Sequence, residues 1–138
     1  MNKEEYIEKL KENECIKKLN DFIYLNKEIE PDFTLLLEKN NKKYKVILKE
    51  RFPHFEKIKD FLKDNDVTHT LLFEDECFYY FNWFDEYEWV EIDKEIELYK
   101  FKLKLKKYNI NFLDITLDNI LKNIKTDELR FIDFKGIG

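Results

Sequence analysis

Apolar residues recur along this chain with two different periods, and each change of period predicts a change of element. Tyr6, Leu10, Ile16, Leu19 and Ile23 fall at roughly helical spacing behind Asn2 and Glu5, which stand three apart as a capping pair. A first helix is predicted over 3–24, bent at Asn13. In PDFTLLLEKNNKKYKVILKE the period drops to two: Phe33, Leu35 and Leu37 alternate with other residues, as do Tyr44, Val46 and Leu48. Between them Asn40 and Asn41 tolerate the positive φ of a tight turn, so a hairpin is predicted. Pro53 then opens HFEKIKDFLKDN, where Phe55, Ile58 and Leu62, with Phe61 beside them, make one apolar stripe of a core-facing helix.

The second half reads mostly as strands. THTLLF at 68–73, CFYYFNWF at 77–84 and EYEWVEI at 86–92 are short, aromatic and β-branched. KFKLKLK at 100–106 alternates strictly and is read as a half-exposed strand. A turn at Asp93-Lys94 and a bulge near Tyr99 would set Glu88 and Glu86 opposite Lys100 and Lys102, with Tyr87 facing Phe101. INFLDIT at 110–116 is a further expected strand, Thr116 a cap for a short helix carrying Leu117, Leu121 and Ile124, and LRFIDF at 129–134 a last strand. The expected architecture is one α+β domain over 1–138, a mixed and mostly antiparallel sheet packed by two or three helices.

Composition supports a folded chain. At 138 residues, 43% hydrophobic and 17% aromatic, it carries enough apolar surface for a core despite 40% charged residues. No apolar run approaches the roughly 18 residues of a membrane span, and the N-terminal MNKEEYIEKLKENE lacks the apolar centre of a secretory signal. A cytoplasmic protein with no membrane partner is expected. Cys15 and Cys77, the two cysteines, are expected as buried reduced thiols. With His54 and His69 scattered singly, no zinc spacing exists. A Cys77–His69 nucleophile is the weaker alternative to simple burial. Serine is absent and glycine occurs twice, which removes a serine nucleophile and a glycine-rich phosphate loop.

One motif resembles a nuclease. Pro31-Asp32 leads into the hairpin, and Lys49 ends it on the face that Asp32 would share. With the order helix, hairpin, helix, strand over 3–73, these residues resemble the core of the PD-(D/E)xK nuclease superfamily. The resemblance implies a site of Asp32, Lys49 and a further acid holding Mg2+ or Mn2+ to activate water against a phosphodiester. This sequence departs from the pattern at Ile47, where the family has an acid, and Glu50 points to the other face of the strand. Glu56 on the following helix could supply that acid, and Glu12 or Glu14 an upstream one.

Charge gives the other candidate. The span 74–97, EDECFYYFNWFDEYEWVEIDKEIE, holds ten acids against one lysine, together with eight of the chain's 23 aromatic rings. It sums to −9, whereas the other 114 residues, with 24 bases and 20 acids, sum to +4. Phosphate is repelled from rings interleaved with acid, so direct nucleic-acid binding through this span is not expected. Such a surface suits a basic protein, with Tyr79, Trp83, Tyr87 and Trp89 as anchors and Glu74, Asp75, Glu76, Asp85, Glu86, Glu88 and Glu91 as complementary charge. Small immunity proteins that block a nuclease toxin, and phage anti-defence proteins including anti-CRISPRs, are similar in general character. The expected function is a non-enzymatic inhibitor of a basic, nucleic-acid-handling enzyme, working without a cofactor. The alternative is a divergent metal-dependent nuclease of the PD-(D/E)xK kind or its inactive nucleic-acid-binding descendant.

Overall fold

The computed structural model describes residues 5, 12, 14, 23–24, 34–84, 87–112 and 115–132. Its class is α+β, with helices and two antiparallel sheets. Contacts divide the chain into two compact units, Met1–Pro53 with Leu71–Trp83, and His54–Thr70 with Phe84–Gly138.

The first unit is a sheet of five strands in the order β1-β2-β3-β5-β4: β1 Ile23–Tyr24, β2 Thr34–Lys39, β3 Lys42–Leu48, β4 Leu71–Glu74 and β5 Phe78–Asn82. The predicted hairpin forms in the predicted register, with Leu35 opposite Val46 and Leu37 opposite Tyr44. Asn40 and Asn41 take φ of 53° and 63°, the left-handed pair that a two-residue hairpin turn demands. Ile23 and Tyr24, expected at the end of the first helix, are instead extended and pair with Glu38 and Leu37. Both residues suit a pleated surface, and the open edge of β2 offers a ladder that overrides their helical spacing. The rest of that helix lies mostly outside the described residues.

Strand β5 joins the hairpin to β4, with Val46 opposite Tyr80 and Ile47 opposite Tyr79. Leu35, Leu37, Val46, Leu48, Phe78 and Tyr80 form a cluster on one face. Ile47, Tyr79 and Phe81 point the other way and are buried as well. Both faces of β5 are therefore core. The register shifts between Leu71 and Phe73, a bulge that leaves Leu72 and Phe73 exposed on the edge strand.

Cys77, buried at the head of β5, is disulfide-bonded. This corrects the expectation of a reduced thiol there, because separation along the sequence says nothing of distance in space. The chain's other cysteine, Cys15, lies outside the described residues.

The second unit contains α1 (Lys59–Lys63), reached through a 3₁₀ turn over Pro53–Ile58, and a sheet in the order β6-β7-β8: Trp89–Glu91, Ile120–Asn123 and Leu129–Phe131. Helix α2 (Glu95–Leu105) packs Phe101 against Phe131 at 6.1 Å, and Phe112 approaches the same ring at 5.8 Å. Loop 64–70 is held by Asn65, whose side-chain amide donates to the carbonyls of Phe61, Leu62 and His69 while its oxygen accepts from Val67 and Thr68. Residues 68–70 were expected to begin a strand. They serve this loop instead, with the Thr68 hydroxyl donating to the Phe131 carbonyl at 2.7 Å.

Four further expectations fail in this unit. Residues 100–106 are helical, not extended. The letters of KFKLKLK fit both periods, but Leu98, Phe101 and Leu105 fall at i, i+3 and i+7, and Phe101 and Leu105 are buried. Acids at Glu95 and Glu97 and lysines at Lys102 and Lys104 also match the helix dipole from end to end. Consequently β6 pairs with β7, Trp89 facing Asn123 and Val90 facing Lys122, and the expected ladder to Lys100 and Lys102 does not form. The described part of 110–116 contains no strand, and 117–124 gives a single 3₁₀ turn over Leu117–Asn119 followed by β7 rather than a helix. A slot between β6 and β8 favours extended Ile120 and Leu121 over a short, weakly capped helix. The final strand is present as Leu129–Phe131.

Candidate functional site

The acidic aromatic span divides between the two units at residue 83, and its residues have different surroundings in each. In the first unit the acids are engaged by their own chain. Asp75 closes the turn between β4 and β5: one carboxylate oxygen accepts the backbone N–H groups of Cys77 and Phe78, both at 2.8 Å. Its other oxygen accepts the Tyr80 hydroxyl at 2.8 Å. Burial, and then the hydrogen bond to Asp75 and its charge, raise the Tyr80 phenol well above its ordinary range. Glu74 accepts from the Lys49 ammonium at 2.7 Å, and that ammonium also lies 5.0 Å over the Tyr79 ring. Glu76 is exposed and Trp83 half-buried.

Tyr79, expected as a surface anchor, is only 1% exposed. It belongs to the core, because its place on β5 puts it on the face shared with Ile47 and Phe81. It presents no ring to a partner.

The second unit holds the outward-facing part. Tyr87 is 90% exposed in the turn before β6, and β6 is an edge strand. The Glu88 carbonyl accepts from the Ile124 N–H at 2.7 Å, and its carboxylate accepts from the Lys125 ammonium, also at 2.7 Å. Trp89 is half-buried and stacks on Phe84 at 4.8 Å, while Phe84 lies flat on the buried His69 ring at 4.2 Å. Val90, Glu91, Asp93 and Glu95 are exposed. Among the described residues, Glu91, Asp93 and Glu95 form no ion pair, whereas Glu97 is bound by Lys122 at 3.3 Å. That hydrogen bond and the Glu97 charge raise the Lys122 ammonium. Asp85 and Glu86 lie outside the described residues. Val90 and Ile124, both exposed beside this edge, were missed in the sequence, and only knowledge of the β6–β7 pairing could have found Ile124.

Asp32 lies outside the described residues, the ammonium of Lys49 is taken by Glu74, and Glu56 pairs with Lys59 at 2.7 Å. Ile47, standing where the family has an acid, is fully buried. Among the described residues no group of three His, Cys, Asp or Glu side chains is placed to hold a metal ion. The Cys77 disulfide leaves no thiol for a Cys77–His69 nucleophile. A groove of about 530 Å³ runs beside Leu105, Ile110, Phe112 and Ile115, and none of the sequence-predicted residues lines it.

No protein-family model matches the chain, and no curated protein matches its sequence. No helix among the described residues is long and apolar enough to cross a membrane.

Proposed function

We propose that the protein is a non-enzymatic inhibitor that captures a basic, nucleic-acid-handling protein on the acidic edge at β6, in the manner of an anti-defence or nuclease-immunity protein. The single observation that carries this is Tyr87, a large amphipathic ring 90% exposed at the head of an edge strand whose neighbours Glu91, Asp93 and Glu95 carry outward negative charge. A ring of this kind costs little entropy to fix in a partner's pocket, and the surrounding carboxylates speed encounter with a positive surface. Val90 and Ile124 add apolar area beside it. Trp89, stacked within its own unit, supports the edge rather than reaching beyond it.

The test is inhibition of a captured nucleic-acid enzyme by three proteins: wild type, Tyr87→Ala combined with Glu91→Lys, and the distant Glu56→Lys. Loss of inhibition in the double variant alone is expected. An interface that maps away from residues 87–95 would sink the proposal. A cytoplasmic setting belongs to the same proposal. A reducing cytosol would open the Cys77 disulfide, so alkylation of protein taken directly from the producing cells should find a thiol at Cys77, and an intact disulfide there would overturn the cytoplasmic setting.

A metal-dependent nuclease draws less support, since Lys49 is already neutralised by Glu74. Cleavage of DNA or RNA with Mg2+ or Mn2+ that disappears in Asp32→Ala would establish it in place of the inhibitor.

A further inference from the structure

Helix α2 is apolar on two sides. Phe101 and Leu105 face the core, while Ile96, Tyr99 and Leu103 stand 56%, 60% and 44% exposed. The exposed three fall at i, i+3 and i+7, so they form one outward stripe along the helix. A stripe of this spacing on a short surface helix is what a second helix covers.

The charges beside the stripe are segregated by sign. Glu95 stands at its N-terminal end; Lys100, Lys102 and Lys106 stand along its C-terminal half. Among the described residues none of these four forms an ion pair. Glu97 and Lys104, by contrast, are held within the unit by Lys122 and Asp66. The outward charges are the ones left to a partner. A partner of one sign, such as an anionic membrane or an acidic surface, would match the lysines and be repelled by Glu95. A face bearing both signs at opposite ends is complementary to itself when inverted.

We propose that α2 pairs two copies of this chain antiparallel across a two-fold axis near Tyr99. Ile96 then meets the partner's Leu103, the two Tyr99 rings meet at the axis, and Glu95 approaches the partner's Lys102 and Lys106. Each contact occurs twice, as two-fold symmetry requires, and the helix dipoles oppose favourably. A parallel pairing would set lysine against lysine. This inference goes beyond the capture of a basic protein at β6, with which it shares Glu95, and dimerisation of the chain alone tests it apart from that capture.

An 11-residue helix is about 16 Å long. One such pair buries less than the roughly 1,200 Å² of a stable interface, so the dissociation constant is on the order of micromolar or weaker. Sedimentation velocity of the full chain from micromolar to millimolar concentration should show a monomer–dimer equilibrium that weakens with added salt. Leu103→Glu should abolish the dimer while leaving the circular dichroism spectrum unchanged. Glu95→Lys and Lys106→Glu should each weaken it about tenfold, and the two together should restore it. A chain that stays monomeric throughout overturns the proposal. So does a dimer indifferent to Leu103→Glu and to both charge reversals. Binding to phosphatidylglycerol vesicles by a chain that never dimerises would assign the stripe to a membrane instead and equally overturn it.

Discussion

Acids 74–75 and acids 91–95 look alike in sequence, yet they do opposite work. At the β4–β5 turn Asp75 and Glu74 are used up by backbone amides, a tyrosine hydroxyl and a lysine of their own unit. At the β6 edge Glu91, Asp93 and Glu95 face solvent with no ion pair among the described residues. The difference lies in what the neighbouring chain offers. A tight turn presents unsatisfied N–H groups that a short carboxylate can reach, whereas an exposed edge presents nothing to consume the charge. Acidic density in a sequence is therefore not a measure of acidic surface.

The sharpest way to break this comparison uses its two tyrosines. Tyr79→Ala empties a core position and should cost roughly 3–5 kcal/mol. Tyr87→Ala should change stability by less than about 0.5 kcal/mol, and any defect it shows should be in binding. Urea unfolding followed by circular dichroism separates the two, and equal losses would mean that Tyr87 is also structural. Next in size, Asp75→Ala removes the acceptor of two amides and of the Tyr80 hydroxyl, for a loss of about 2 kcal/mol. Glu91→Ala on the same scale should be close to neutral. If the two cost the same, the contrast between turn and edge is wrong.

The smallest effect concerns pH. Asp66 accepts hydrogen bonds from Tyr108 and Lys107 and lies beside Lys104. Partial burial would raise its carboxyl, but the Tyr108 and Lys107 hydrogen bonds and the charges of Lys104 and Lys107 prevail and hold it at about 2 against an ordinary 3.8. A depressed carboxylate contributes stability that is present above pH 3.8 and is lost as pH falls from there through about 2. Asp66→Asn should flatten that acid limb and cost about 1 kcal/mol at neutral pH, a figure reduced for the site's exposure. Thermal melts between pH 2 and pH 6 read both outcomes.

Legibility in the sequence followed locality. The β2–β3 hairpin was readable down to its register, because alternation on both arms and two asparagines at the turn specify it within 15 residues. Segment 100–106 carries an equally clean alternation and folds as a helix. Its decisive signal was in the charges, acid first and lysine last, and in Leu98 lying outside the alternating window. The partner of β6 was unreadable, since Trp89 pairs with Asn123 across more than thirty residues and no local pattern names that strand. The candidate site divided the same way. Tyr87, marked by composition, is exposed; Tyr79, marked in the same way, is buried, because a strand's alternation does not say which face is outer; and the place of the exposed Ile124 beside β6 needed the fold.

Strand β5 has a consequence for how the chain reaches its native state. Its amides are paired on one side with β3 and on the other with β4, and four of its side chains are buried, so its hydrogens should exchange slowest with solvent water. During synthesis the hairpin emerges first and can close alone. It must then wait about thirty residues with the outer edge of β3 unpaired until Phe78–Asn82 leaves the ribosome. That interval is when the nascent chain is most open to mispairing, and closing so distant a strand, rather than forming the hairpin, should set the folding rate of this unit.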